Sequence, residues 1–324
     1  MERIPVIIDT DPGIDDFFAL MLANSSGKLD IKAVTTVAGN QSSEIVTKNA
    51  LDIASYFHIG CEVAKGAEHP LDRPPRTAGY IHGENGLGNL ALKAGSRPLS
   101  PDYAWDVIDQ KASEEKGRLE IIAIGPLTNI AIALLKYPGL RGLIRRIVMM
   151  GGSGGVGNVS PYGEFNAAAD PLAAKIVFRS GVPIVMTGWD AAVQSRLTPE
   201  EIGRLKKIDT PYTRDCSFLW DFLRDAYQKL GKSDIVLSDA LAVAYAIDPA
   251  VMECRDCYVA VETVSGLNQG RTVVDFDHVR KDMPLNCSVG MKVDQGLYFG
   301  MLEQMMRHYT APRREREDLH EARL

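Results

Sequence analysis

Residues 4–16 read IPVIIDTDPGIDD, and this stretch decides how the fold of the whole chain is interpreted. The run Ile4–Ile8 contains no polar residue, which predicts a strand buried on both faces. Asp-Pro-Gly then predicts a tight turn, and Asp15–Ala23 predicts the start of a helix. A buried strand that leads directly into a helix is typical of a parallel sheet covered by helices.

The same alternation of strand and helix continues as far as Met186. Further strands are predicted at Ile31–Val37, Leu119–Ile124, Ile147–Met150 and Pro183–Met186, and helices at Glu44–Phe57, Leu127–Leu135 and Pro171–Arg179. The pattern therefore predicts an α/β fold in which helices flank a mostly parallel open sheet.

The pattern changes after Thr198. Helices are predicted at Pro199–Lys207, Pro211–Leu230, Ala240–Ala246 and Gly296–Tyr309, and strands at Tyr258–Val264, Thr272–Asp277 and Ser288–Val293. A turn at Gln269-Gly270 suggests that these strands form a small antiparallel group near the C-terminus. Because no repeat or Gly/Ser/Pro-rich linker divides the chain, we expect one domain over residues 1–310. Residues 311–324 are highly charged and are expected to be a disordered tail or an interaction arm.

Composition restricts the function. Among 324 residues, 42 are acidic and 36 basic, giving a formal net charge of −6, so no strong basic field would attract nucleic acid or an anionic membrane. The apolar stretches are shorter than a membrane span, and the N-terminus lacks the pattern of a secretory signal peptide. Five cysteines, an odd number, favour reduced thiols. We expect a cytoplasmic protein that binds neither nucleic acid nor a membrane.

Four aspartates, Asp9, Asp11, Asp15 and Asp16, fall within eight residues after the first strand. Capping of the following helix would explain one or two of them. Four carboxylates packed together repel one another unless a cation compensates. Oxygen ligands without histidine or cysteine select Ca²⁺ or Mg²⁺ over zinc. The cluster therefore predicts a site for a hard divalent cation at the carboxyl end of a parallel strand, where ligands bind in such sheets.

The octapeptide Asp9-Thr10-Asp11-Pro12-Gly13-Ile14-Asp15-Asp16 resembles the signature DxDPGxDD of the inosine–uridine-preferring nucleoside hydrolase family. Later landmarks of that family follow in order over nearly the whole chain: Val37-Ala38-Gly39-Asn40, His82-Gly83, Gly125-Pro126-Leu127-Thr128-Asn129, Met150-Gly151-Gly152, Glu164-Phe165-Asn166 and Asp239-Ala240. The resemblance implies a Rossmann-like core. It also implies hydrolysis of the N-glycosidic bond of ribonucleosides, releasing ribose and the free base.

The resemblance also implies roles for individual residues. Ca²⁺ would be held by Asp11, Asp16, Asp239 and the main-chain carbonyl of Thr128, and Asp11 would also act as the catalytic base. The ribonucleoside would contact Asp15, Asn40 and Asn166 through the ribose hydroxyls, Asn158 with Glu164 through the 5′-hydroxyl, and His82 near the sugar or base, with Tyr227 a further candidate. A homodimer or homotetramer is implied as well.

Taken singly, these residues have ordinary structural interpretations. Asn40 suits a turn, Thr128-Asn129 could start a helix, Glu164 and Asn166 could be polar loop residues, and His82 could be an exposed loop histidine. Their order along the chain is what favours the functional interpretation.

Two other motifs suggest different functions, but neither is complete. Gly152–Gly157 matches GxGxxG, but a dinucleotide site needs a helix to begin at once, and Asn158-Val159-Ser160-Pro161 predicts a loop. Asp9-Thr10-Asp11 also resembles the aspartyl-nucleophile phosphatases. That family has Thr or Val where this chain has Gly13, and its later motifs have no clear counterpart here.

One position departs from the family pattern. Many members carry histidine directly before the last metal aspartate, where it protonates the departing base, whereas this chain has Ser238. A serine hydroxyl is a poor acid at neutral pH. Three hypotheses follow: another group such as Tyr227 or His82 acts as the acid, the substrate has a base that leaves unaided, or the protein is a nucleoside-binding sensor with weak catalysis.

Overall fold

The computed structural model describes residues 2–92, 95, 97–264 and 266–310. The strands are β1 (Ile4–Thr10), β2 (Leu29–Thr36), β3 (Glu62–Lys65), β4 (Leu119–Ala123), β5 (Ile144–Met150), β6 (Ile184–Thr187), β7 (Met252–Val261), β8 (Thr272–Asp275) and β9 (Cys287–Val293). The helices are α1 (Ile14–Ser25), α2 (Ser43–Tyr56), α3 (Gly79–His82), α4 (Ala104–Glu115), α5 (Thr128–Lys136), α6 (Phe165–Ala169), α7 (Pro171–Phe178), α8 (Trp189–Ala192), α9 (Pro199–Leu205), α10 (Thr213–Lys229), α11 (Ser238–Ile247) and α12 (Gln295–His308).

The strands form one sheet in the order β3-β2-β1-β4-β5-β6-β9-β7-β8. Strands β1 to β6 pair in parallel, and β9 also runs parallel to β6. Strand β7 is antiparallel to both β8 and β9. The prediction of a mostly parallel sheet with a small antiparallel group near the C-terminus is confirmed, and the antiparallel strands extend the same sheet.

Two hydrophobic cores cover the two faces of this sheet. Along β1, Val6 and Ile8 point into one core, whereas Ile7 points into the other, and all three are fully buried. The first core includes apolar residues of α1, α2, α10, α11 and α12. The second includes those of α4, α5 and α7. Burial on both faces explains why the parallel strands read as uninterrupted apolar runs.

The strand order alone predicts the position of a ligand-binding crevice. Because β1 to β6 are parallel, their carboxyl ends lie at one edge of the sheet. The order β3-β2-β1-β4-β5-β6 reverses direction between β1 and β4. Ligands of doubly wound sheets bind outside the carboxyl ends at such a switch point. The acidic segment that follows β1 lies there.

Several parts of the fold differ from the sequence prediction. Strand β3, helix α4 and the short helices α3, α6 and α8 were not predicted, and β7 begins at Met252 rather than at Tyr258. The first half of β7 carries the exposed residues 253–256, two of them acidic and one basic, so its sequence lacks the apolar run of the other strands. The predicted tail, residues 311–324, lies outside the described residues. Within the described part of the chain, none of the helices combines the length and apolarity needed to cross a bilayer.

Candidate active site

The turn between β1 and α1 brings two distant polar side chains together. A Cβ atom on Gly13 would lie 2.7 Å from Nδ1 of His82 and 2.8 Å from Nδ2 of Asn40, so only glycine fits without displacing them. The main-chain N–H of Ile14 donates to Nδ1 of His82 at 3.1 Å. The Asp-Pro-Gly segment therefore serves as a platform for residues from two other loops.

Asp16 combines a helix-capping role with a place in the carboxylate cluster. Its Oδ2 accepts the Gly13 N–H at 2.8 Å, which satisfies a free donor at the start of α1. The hydroxyl of Thr10 donates to the other oxygen. Burial raises the pKa of Asp16 to about 6, and the neighbouring Asp15 carboxylate contributes to the increase. Capping thus explains Asp16 in part, and the remaining carboxylates need another explanation.

Asp11 is fixed on one side and has no partner on the other. The N–H of Asn40 donates to its Oδ2 at 2.7 Å. Its buried Oδ1 has no hydrogen-bond partner among the described residues. Burial raises the pKa of Asp11 well above the usual range of an aspartate, and the charge of Asp16 raises it further. Such a carboxylate suits either a cation or the acceptance of a proton.

Helix α11 delivers a further carboxylate to the same place. Asp15, Asp16 and Asp239 each place one carboxylate oxygen within 4.8 Å of an oxygen of the other two. All three residues are buried or nearly so. Burial raises the pKa of Asp239 well above its usual range, and Asp15 is the largest of three carboxylate contributions. Asp11 is the third of these charges but is not part of the 4.8 Å group. The hydroxyl of Ser238 donates to Oδ2 of Asp15 at 2.8 Å.

Asp9, although part of the same motif, is bound elsewhere. Its Oδ1 accepts hydrogen bonds from the Thr35 hydroxyl at 2.5 Å and from Nδ2 of Asn129 at 2.8 Å. Burial raises its pKa to about 7. Asn129 also binds the carbonyl of Thr36 and the N–H of Ala67. Asp9 and Asn129 therefore hold the ends of neighbouring strands together.

The carboxylate cluster fits a hard divalent cation. Oδ1 of Asp11 and Oδ1 of Asp15 are buried acceptors without a hydrogen-bond donor among the described residues. The basic group nearest to them is Nδ1 of His82, 3.9 Å from Oδ1 of Asp15. That nitrogen already accepts from Ile14, so it does not donate to the carboxylate. An oxygen-only donor set with unpaired negative charge is the kind that Ca²⁺ or Mg²⁺ occupies.

A pocket of about 170 Å³ opens above this cluster. We call the polar side chains that include the carboxylates the floor and sides of the pocket, and the apolar and aromatic side chains of residues 80–81, 165, 189, 223, 227, 230 and 236 its outer wall. The polar lining residues are Asp15, Asn40, His82, Asn158, Glu164, Asn166, Lys232, Ser238 and Asp239. The apolar lining residues include Tyr80, Ile81, Phe165, Trp189, Leu223, Tyr227, Leu230 and Val236. The arrangement suits a ligand with a polar end and a flat apolar end.

Glu164 and Asn166 form the side of the pocket next to β5. Glu164 caps α6 and accepts hydrogen bonds from the N–H groups of Gly152, Asn166 and Ala167. Burial raises its pKa despite these donors. Nδ2 of Asn166 donates to the carbonyls of Ile124 and Met150, both at 3.0 Å. Both side chains are therefore held rigidly.

Residues 152–164 form the loop that leads into this side of the pocket. The first helix after β5 is α6, which begins at Phe165, so the GxGxxG segment does not open a helix. The side chain of Thr272 on β8 bonds both the N–H and the carbonyl of Ser153, each at 2.7 Å. Oδ1 of Asn158 accepts the Phe165 N–H at 2.8 Å. This loop conformation agrees with the prediction that the GxGxxG segment is not a dinucleotide-binding site.

The structure unites most of the predicted site residues. Asp15, Asn40, His82, Asn158, Glu164, Asn166, Tyr227, Ser238 and Asp239 line one pocket. Asp11 and Asp16 lie beneath it, bonded to Asn40. Thr128 does not line the pocket: it is buried at the start of α5, where its hydroxyl donates to Asp170 at 2.8 Å. His82 is buried rather than exposed, and burial lowers its pKa.

Apart from Tyr227, sequence reasoning missed the outer wall of the pocket. Trp189 follows directly after β6, so the rule that ligands bind at carboxyl ends of strands would have found it. Tyr80, Leu223 and Lys232 also line the pocket. Leu223 looks like an ordinary core residue of an amphipathic helix, and Lys232 looks like an ordinary surface lysine, so no local signal marks them.

Comparison with known proteins agrees with this geometry. The family model described as inosine-uridine preferring nucleoside hydrolase matches residues 6–300. The non-specific ribonucleoside hydrolase RihC of Escherichia fergusonii is 39% identical over 292 residues, which cover 90% of this chain and 94% of that protein. RihC of Salmonella newport is 38% identical over 289 residues, covering 89% of this chain and 93% of that protein.

Solved structures give the same result. A purine-preferring ribonucleoside hydrolase from Gardnerella vaginalis superimposes with a TM-score of 0.88 at 30% identity, covering 95% of this chain and 100% of that chain. A plant nucleoside hydrolase superimposes with a TM-score of 0.89 at 30% identity, covering 96% of this chain and 100% of that chain.

The fold and the carboxylate-floored pocket define an enzyme that hydrolyses the N-glycosidic bond of ribonucleosides. More particularly, the chain belongs to the inosine–uridine preferring nucleoside hydrolase family, as its sequence resemblance implied.

Proposed function

We propose that this enzyme is calcium-dependent and that it cleaves both purine and pyrimidine ribonucleosides. The carboxylate cluster supports calcium as the metal, because its buried oxygens include acceptors without a hydrogen-bond donor among the described residues, and their negative charge calls for a cation. The similarity to ribonucleoside hydrolases described as non-specific supports the broad range of bases.

The ion would be held by Asp11, Asp16, Asp239 and the main-chain carbonyl of Thr128. When bound, Ca²⁺ would orient the 2′- and 3′-hydroxyls of ribose and make the attacking water easier to deprotonate. Asp15 lies within the same group of carboxylates, and its Oδ2 accepts a hydrogen bond from the Ser238 hydroxyl. We assign Asp15 to the ribose hydroxyls.

Asp11 would take the proton from the attacking water. Its Oδ1 is a free acceptor, and its Oδ2 is held by the Asn40 N–H, so the carboxylate needs no rearrangement before it accepts a proton. The remaining carboxylates would stabilise the positive charge that develops on the ribose ring as the glycosidic bond breaks.

The other polar lining residues would position the sugar. Asn40 and Asn166 would bind ribose hydroxyls, with Asn166 at the 3′-hydroxyl, and Asn158 with Glu164 would bind the 5′-hydroxyl. Their hydrogen bonds to the backbone support this assignment, because fixed donors and acceptors lose little freedom when a substrate binds. His82 would lie beside the sugar. The flat base would then contact the aromatic wall that includes Tyr227.

A panel of nucleosides tests this proposal. With Ca²⁺ present, inosine and uridine should release ribose, measured as reducing sugar, and EDTA should abolish the release. Elemental analysis should find about one Ca²⁺ per chain. If calcium binds both ring hydroxyls, 2′-deoxyuridine should react far more slowly than uridine. Stoichiometric zinc, or equal rates on uridine and deoxyuridine, would contradict the proposed ligand set. Binding without ribose release would favour a sensor.

We also propose that residues 1–310 form a single domain and that the protein is a cytoplasmic homodimer or homotetramer. The continuous nine-stranded sheet, which includes residues from β1 to β9, supports one domain. The free thiols of Cys61, Cys216, Cys254, Cys257 and Cys287 support a reducing compartment. Size-exclusion chromatography with light scattering, and cell fractionation, test the oligomer and the location.

A further inference from the structure

A lysine without an assigned role lies at the outer end of the pocket. Lys232 lines the pocket and is exposed to solvent. Its Nζ lies 5.3 Å from the ring centroid of Trp189 and 5.6 Å from that of Tyr227. Its main-chain N–H donates to the carbonyl of Tyr227 at 3.0 Å, which fixes Lys232 directly after α10. The ammonium is therefore placed over two rings of the aromatic wall.

The depth of the pocket indicates which part of a substrate meets this lysine. The carboxylates at the floor are buried, and the proposed function places the ribose there. Tyr227 lies between the floor and the outer end of the pocket. Burial and the charges of Asp15 and Asp239 raise the pKa of its phenol, and the Lys232 ammonium lies over its ring. A base that is attached to a ribose at the floor and lies against Trp189 and Tyr227 comes within reach of the Lys232 ammonium.

The departing base needs a cation or a proton from the outer end of the pocket. Ser238, at the position of the histidine in many relatives, uses its hydroxyl hydrogen to bind Asp15. Burial raises the pKa of Tyr227, so its phenol is a weaker acid than an exposed tyrosine. The Lys232 ammonium supplies positive charge and N–H donors beside the base, so it can offset the negative charge that develops there and pass a proton to it.

We propose that Lys232 binds the departing base and protonates it. As the C1′–N bond breaks, its electron pair passes to the base, and Lys232 gives that base one proton. Asp11 takes one proton from the water that attacks C1′. Solvent reaches the exposed lysine and returns a proton to its amine, while Asp11 releases one. Ribonucleoside and water thus give ribose and a neutral base.

This inference rests on the proposed function, and its experiment separates a chemical role from a packing role. A cation over an aromatic ring is often only a stabilising contact. Lys232→Met keeps an unbranched apolar side chain over the two rings and removes the charge. Lys232→Arg keeps the charge. Lys229→Met, at the last residue of α10 and outside the pocket, is the matched control.

The four proteins are assayed in Ca²⁺ with inosine, uridine and p-nitrophenyl riboside, whose leaving group departs without a proton. Lys232→Met should lower kcat on both nucleosides by about 10²-fold or more, the usual worth of a general acid, and change kcat on the nitrophenyl riboside by less than about threefold. Lys232→Arg should recover about tenfold of the loss, since it restores the cation but is a poor acid. Lys229→Met should match the wild type.

Two results would overturn the inference while the enzyme remains active. Equal losses on all three substrates would show that Lys232 only supports the aromatic wall. Unchanged kcat on the nucleosides would show that it contacts no leaving group. A wild-type protein that releases no ribose from any of the three substrates would instead contradict the proposed function, and the inference with it.

Discussion

Gly39 offers a sharp test of the place given to Asp11. A Cβ atom at residue 39 would lie 2.8 Å from Cγ of Asp11 and 2.9 Å from Cδ of Pro126, with Oδ2 of Asp11 closer still. Gly39→Ala must therefore move the carboxylate until Cγ reaches the 3.4 Å of an ordinary contact. The proline ring on the other side leaves the methyl group little room to move away from Asp11.

That movement breaks the hydrogen bond from the Asn40 N–H to Oδ2 of Asp11, which is 2.7 Å long. Misplacing a catalytic group by ~1 Å costs roughly 10²-fold in rate, so Gly39→Ala should lower kcat by about that factor. Leaving the buried Asn40 N–H without its acceptor should also lower the free energy of unfolding by about 1–3 kcal/mol. Ribose release and urea denaturation measure the two effects.

The control is Gly60→Ala, because nothing lies within 4 Å of a Cβ atom built at residue 60. It should leave both quantities unchanged. In an Asp11→Ala background, Gly39→Ala should cost less unfolding free energy than in the wild type, because the carboxylate that it displaces is gone. A Gly39→Ala enzyme with more than about a third of wild-type kcat would refute the reasoning, since a displaced base cannot remain so efficient.

Three further predictions concern the carboxylates. Asp11→Asn should lower kcat by about 10²–10⁴-fold with Ca²⁺ saturating, and a loss below about tenfold in ribose release would place the base elsewhere. Burial raises the pKa of Asp9 to about 7 and of Asp16 to about 6, above their unfolded values; such groups stabilise the fold at low pH and lose that contribution as pH rises through the folded values. The melting temperature of the EDTA-treated protein should therefore fall between about pH 4 and 7, Ca²⁺ should remove the part of this trend that comes from the ligand Asp16 but not the part from Asp9, and a flat profile without metal would contradict this explanation. Ser238→Ala removes the donor to Asp15 and should raise KM for ribonucleosides by about 3- to 10-fold with metal content unchanged, whereas abolished turnover would give the serine a direct chemical role.

The sequence predicts the parts of the fold whose signals are local. The apolar run of β1 and the turn at Asp11-Pro12-Gly13 identify both the sheet and the position of its ligand crevice, because the carboxyl ends of parallel strands share one edge. Strand β7 was predicted to begin six residues late, because its exposed first half carries charged side chains and no apolar run.

Contacts between distant residues account for what the sequence could not predict. Ser238 was predicted only to be a poor acid for the departing base; its hydrogen bond to Asp15, which lies 223 positions earlier in the chain, was not predicted. The burial of His82 depends on its contact with the Gly13–Ile14 turn. Lys232 gains its position only because α10 ends beside Trp189. Neither composition nor periodicity records such pairings.

One part of the outer wall comes from a stretch of the chain that contributes nothing to the floor. The carboxylates and amides of the floor follow β1, β2 and β5 or begin α11, whereas Leu223 and Leu230 of the wall belong to α10 and the residue that follows it. Substitutions of these two leucines can therefore change the choice of base without altering the carboxylates. After gene duplication, substitutions on α10 would give paralogues with new base preferences and unchanged chemistry. For directed evolution, a library limited to Leu223 and Leu230 explores substrate range without risking the reaction itself.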